Sequence, residues 1–140
     1  GWERAYLNCL DNFCLGIGFQ QLGFVGSVGL AMERVIEVYK YPLGLYDGGT
    51  VGAKFLNEFG VIALLFIGIY VTSFYRVMKT LRAISISNLY MKDLRKTFFM
   101  CCFVIYAVDL FVRGFGYFSF SGFLFVSSLL WKYANNKKVK

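Results

Sequence analysis

The 140-residue chain has no histidine, so acid–base chemistry falls to its carboxylates and fixed positive charge to arginine and lysine. Lys54 and Glu58 stand four apart, which puts them on one helical face where they can pair. They follow Asp47-Gly48-Gly49-Thr50, in which Asp-Gly-Gly makes a turn and Thr50 can cap the helix. By themselves these residues read as a loop-to-helix junction with an exposed ion pair. Arg113 separates two apolar runs, 97–112 and 114–131. An ionisable group there is costly unless solvated or paired, so Arg113 is either functional or a turn residue pairing with Asp109, one helical turn earlier. Arg4, next to Glu3, is functional or part of a surface ion pair in a segment, 1–10, that reads as an amphipathic interfacial helix. Arg34, between Glu33 and Glu37, reads as a solvated helix face. Four cysteines with no histidine and no CxxC pair argue against a zinc site. Cys9 and Cys14, five apart, form a disulfide or, in a continuous helix, diverge. The other glycine cluster, GIGFQQLG at 16–23, departs from GxGxxG spacing and has no preceding strand, which excludes a dinucleotide loop.

Elements must position these residues, and composition says where. The chain is 58% hydrophobic, 20% aromatic and only 16% charged, with a mean hydropathy of +0.57. A domain of this size exposes too much surface to hide that surplus in water. Disorder, collagen-like repeats and a disulfide-dense scaffold are excluded with it, and a membrane protein is expected.

Charge placement orients the chain. Residues 1–58 carry a net charge of −2 and residues 59–140 a net charge of +9. Six Lys/Arg lie in 76–96 and four in 132–140, flanking apolar runs as at the cytoplasmic ends of membrane helices. That distribution speaks against a nucleic-acid partner and for contact with anionic membrane lipids. The expected organisation is all-α: a glycine-rich non-cytoplasmic loop (a periplasmic loop, were this a bacterial inner membrane) with short interfacial helices over 1–58, a transmembrane helix over 59–75 and a basic cytoplasmic loop over 76–96. A transmembrane hairpin over 97–131, turning at Arg113, and a basic cytoplasmic tail over 132–140 complete this multi-spanning fold. The glycine-interrupted run 15–32 is expected to be loop and short helices. With Gly1 at its start and three spanning helices, the chain is expected to be a piece of a larger bundle.

The stretches GIGFQQLG (16–23), DGGTVGAKFLNEFG (47–60) and DLFVRGFGYF (109–118) resemble, in order, the carboxy-terminal part of bacterial O-antigen polymerases, of the family that also contains the O-antigen ligases. The resemblance implies a multi-pass inner-membrane glycosyltransferase working on its periplasmic side, with no cofactor and no metal. Its substrate would be an undecaprenyl-pyrophosphate-linked oligosaccharide. Its partners would be membrane lipids and a chain-length regulator protein.

That chemistry assigns roles. A leaving pyrophosphate needs fixed positive charge, for which Arg113 is the foremost candidate, with Arg4 and Lys54 binding substrate. The acceptor hydroxyl needs a base, for which Glu3, Asp47 and Glu58 are the candidates, with Glu58 and Asp47 assigned as catalytic. Gly16, Gly18, Gln20, Gly48 and Gly49 are expected to let backbone approach the lipid-linked sugar. The ligases' histidine before the glycine that opens the next helix is absent, since Gly49-Thr50 stands there. The rival readings are a polysaccharide-unit flippase or transporter, and a small non-enzymatic membrane protein.

Overall fold

In the computed structural model, residues 1–41, 45, 46, 48–86, 94–114 and 116–138 are described. They are all-helical, with six helices and, apart from one isolated bridge between Leu22 and Val25, no strand pairing. The helices are α1 (Trp2–Asp11), α2 (Leu30–Tyr39), α3 (Val51–Phe59), α4 (Val61–Ile86), α5 (Leu94–Phe111) and α6 (Phe120–Lys138). The chain divides into two compact units, residues 1–68 with 108–116, and residues 69–107 with 117–140.

In the first unit α1 packs on α3. Ala5 and Ala53 are fully buried between them, and Trp2 stacks on Phe111 at a centroid distance of 6.4 Å. Thr50 caps α3 as its position predicts, its Oγ1 accepting from the Ala53 amide at 3.1 Å. The helix does not run on into α4. It stops at Gly60, whose φ of 57° and ψ of −136° lie outside the helical region, and α4 restarts at Val61. The reason is a close approach from far away in sequence. The Val61 amide donates to the Cys14 carbonyl at 2.7 Å, and a side chain at Gly60 would collide with that carbonyl. The 15–32 run is non-helical until α2 begins at Leu30.

α1 ends at Asp11, and Phe13 and Cys14 then take left-handed conformations (φ 51° and 57°) that turn the chain back. Cys14 is thereby brought within 4.0 Å of Cys9, Cα to Cα, and the two form a disulfide. The divergence expected of a continuous helix does not arise, because the helix is over before Cys14.

In the second unit the helices converge on aromatic rings. The Tyr70 hydroxyl donates to the Phe103 carbonyl at 2.8 Å, while its ring stacks on Phe103 at 4.9 Å. Tyr106 stacks on Phe125 at 4.2 Å and Phe99 on Trp131 at 5.1 Å. The opposite faces stay apolar, with Val71, Ile105, Phe123 and Leu130 among the exposed residues. Helices exposing this much apolar surface are unusual in water.

Among the described residues one helix, over Val61–Ser85, is long and apolar enough to cross a membrane. α4 carries Arg76, Lys79 and Arg82 on its last turns. Residues 112–119 connect α5 to α6, so the connection extends well past Arg113.

Candidate functional site

The chemistry-bearing residues of the first unit form a buried polar cluster between α1 and α3. Lys54 and Glu58, on one face of α3, pair at 3.9 Å with side chains 6% and 0% exposed. The pair is therefore an interior one. Lys54 Nζ also donates to the Tyr46 carbonyl at 3.0 Å. Arg4, only 4% exposed, donates from Nη1 to the Leu45 carbonyl at 2.7 Å and from Nε to the Ser27 carbonyl at 3.0 Å. Two buried cations from different helices thus hold successive carbonyls of the turn that leads to Gly48. Burial pulls the Arg4 guanidinium below its ordinary pKa, since desolvation disfavours the charged form. A guanidinium still stays charged under these conditions.

Two asparagines complete the cluster, and sequence reasoning passed over both. Asn8 Nδ2 donates to Asn57 Oδ1 at 2.7 Å, and Asn57 Nδ2 donates to the Ala53 carbonyl at 2.8 Å. Asn8 Oδ1 accepts from the Ser27 amide at 2.6 Å. Their spacing carries no motif, and only the register of α1 on α3 joins them. Asn57 follows the small Ala53 by one helical turn and sits beside Lys54 and Glu58, and that polar run on α3 is the signal that could have found it.

The glycine cluster over 16–23 closes the other end of α3. The Ile17 and Gly18 amides donate to the Asn57 and Glu58 carbonyls at 2.9 and 3.1 Å, satisfying acceptors that a helix end leaves open. Gly16 has a φ of 86°, and a methyl there would collide with the Glu58 carbonyl. Gly16 and Gly18 thus serve backbone-to-backbone packing around Glu58. Gly18 and Gln20 are both exposed at the edge of this loop.

Gly48 is buried over Lys54, and Gly49 is exposed. The Gly49 carbonyl accepts from the Gly114 amide at 3.1 Å, which brings the Arg113 backbone beside the Gly48-Gly49 turn. Arg113 is exposed, and the alternative of a pair with Asp109 is not formed. Its amide donates to the Val108 carbonyl at 2.9 Å. Asp47 lies outside the described residues. Arg34 is exposed on α2, as expected of a solvated face.

Chemically, the arrangement offers one exposed arginine on a backbone-braced turn, next to a turn held by two buried cations, one of them paired with a buried carboxylate. The Glu58 carboxylate has no exposed side-chain surface. Among the described residues no cluster of three or more His, Cys, Asp or Glu stands ready for a metal. No family model, curated protein or solved structure matches the chain.

Proposed function

We propose that the chain is the carboxy-terminal part of a bacterial O-antigen polymerase, a multi-pass inner-membrane glycosyltransferase acting on its periplasmic side. The observation that carries this reading is the Gly49–Gly114 hydrogen bond, which sets exposed Arg113 beside the glycine turn over the Lys54–Glu58 pair. The all-helical fold, the apolar length of α4 and the outward apolar faces of α5 and α6 support the membrane setting. The charge bias supports the orientation, with 76–96 and 132–140 cytoplasmic. A disulfide in 1–58 agrees with an oxidising, non-cytoplasmic location for that segment.

In the proposed reaction an acceptor sugar hydroxyl attacks the anomeric carbon of an undecaprenyl-pyrophosphate-linked polymer. A new C–O glycosidic bond forms as the bond from that carbon to the pyrophosphate oxygen breaks. The pyrophosphate leaves with the electron pair, and Arg113 neutralises the charge that develops on it. The hydroxyl proton passes to a carboxylate, Glu58 or Asp47. Arg4 and Lys54 brace the turn leading to Gly48 by hydrogen bonds to its carbonyls, and in this reading they orient it toward the lipid-linked sugar.

The test is complementation of a polymerase-null strain, read as lipopolysaccharide ladders on a gel. Arg113→Ala is expected to lower polymerisation roughly 100- to 1,000-fold, leaving core with a single repeat unit at normal protein amounts. Arg113→Lys keeps the charge but loses the planar fork, so it should fall between. A full ladder from Arg113→Ala overturns the assignment.

A further inference from the structure

The first unit combines a buried polar cluster with a run of exposed apolar side chains. Its interior holds Arg4, Asn8, Lys54, Asn57 and Glu58, while Phe13, Leu15, Phe19, Phe24 and Leu30 stand exposed. These exposed residues all fall in 12–32, a stretch without a single charge. Phe13 is the extreme case, being 89% exposed with a φ of 51°. A bulky residue rarely occupies the left-handed region, and it persists there only when its surroundings impose it. Here they do. The Cys9–Cys14 disulfide closes the loop around Phe13, and the Cys14 amide donates to the Cys9 carbonyl at 2.6 Å. In water, a strained backbone that displays a phenyl ring gains nothing.

We infer that this disulfide-closed tip, residues 9–15, inserts Phe13 and Leu15 into the headgroup–acyl boundary of the bilayer that α4 crosses. Two observations select lipid as the occupant. First, the Cys14 carbonyl accepts from Val61, the first residue of α4, at 2.7 Å. The tip therefore lies where the apolar helix begins, level with exposed Val61 and Ile62. Second, the backbone around Phe13 is largely satisfied, and the one charge of the tip, Asp11, accepts from the Ser27 hydroxyl at 2.5 Å and stays at the polar side of the boundary. The amides of Asn12, Cys14 and Leu15 are bonded to the carbonyls of Asn8, Cys9 and Asn12, and only satisfied backbone is tolerated at depth. Amphipathic elements that lie in the interface bury their apolar points in this way. The inference rests on α4 crossing a bilayer and is independent of glycosyl transfer.

Photo-crosslinking in the whole protein, in its own bacterial membrane, tests it. p-Benzoylphenylalanine replaces Phe13, exposed Leu65 of α4, or exposed Glu33 of α2, and adducts are identified by mass spectrometry after illumination. Phospholipid adducts are expected at positions 13 and 65 in yields at least roughly tenfold above position 33. Lipid adducts at 65, with only peptide adducts or none at 13, overturn the tip while leaving the α4 crossing intact. Absence at both positions removes the crossing and the tip together. Cys9→Ser with Cys14→Ser should lower the yield at 13 to that at 33. An unchanged yield would remove the disulfide from the proposal.

Discussion

The Gly114 amide donates to the Gly49 carbonyl at 3.1 Å, so the turn that carries Arg113 and the turn that starts α3 share one backbone hydrogen bond. Neither turn is placed by its own sequence alone. Whatever Arg113 does, it does from a position that the Gly48-Gly49 turn helps to fix.

Replacing Gly114 should therefore disturb Arg113 without touching it. A methyl at Gly114 would stand 2.5 Å from Val51 Cγ2 and 2.7 Å from the Asp109 carbonyl, overpacking that costs about 1–3 kcal/mol or moves the turn. Gly114→Ala is expected to shorten or abolish the polysaccharide ladder while the protein still reaches the membrane. Gly68→Ala is the control, because nothing lies within 4 Å of its added methyl and alanine gains up to about 1 kcal/mol over glycine inside a helix. An unaffected ladder from Gly114→Ala would count against the bracing.

The buried pair gives a thermodynamic test. Leaving either charge alone in the interior costs about 3–5 kcal/mol, whereas removing both costs far less. Lys54→Met and Glu58→Gln should each lower the melting temperature in detergent, and the double variant should recover part of the loss. Two small, additive effects would mean that the pair is solvated.

Asn8 and Asn57 predict a coupling. Asn8→Ala leaves the Ser27 amide and Asn57 Oδ1 without their partner, at about 1–3 kcal/mol for each orphaned group. A double-mutant cycle of Asn8→Ala and Asn57→Ala should return a coupling of about 0.5–3 kcal/mol in chemical unfolding. Strict additivity would deny the contact.

Orientation is checked by labelling with a membrane-impermeant maleimide. A cysteine replacing exposed Gln20 should react from the periplasmic side of intact cells. One replacing exposed Thr80, on the basic end of α4, should react only after the membrane is opened. The reverse pattern would overturn the orientation of the whole chain.

How far sequence alone carries depends on how local each interaction is. The Thr50 cap and the Lys54–Glu58 pairing follow from neighbours three and four positions apart, and both are in place. The all-helical class follows from composition and long apolar runs. The burial of Lys54, Glu58 and Arg4 does not follow, because it depends on how α1 meets α3. The break at Gly60 was hidden for the same reason, its cause being the carbonyl of Cys14 from another part of the chain. Arg113 and Asp109 are correctly spaced for a pair, yet spacing assumes a helix, and α5 ends at Phe111. The disulfide shows the converse. Its spacing looked wrong for a helix and is right for a helix that has just ended.

The hydrogen bond from Val61 to Cys14 also sets the phase of α4. A helix whose first amide is held by a fixed carbonyl has neither rotational nor vertical freedom at that end. One residue inserted after Gly60 would turn every following side chain by about 100° and advance it by about 1.5 Å, swapping the residues that face neighbours for those that face outward. Residues inserted beyond Ile86 leave that phase intact. The chain's tolerance to length changes should therefore be sharply unequal at the two ends of the same helix, with Gly60–Val61 acting as its origin of register.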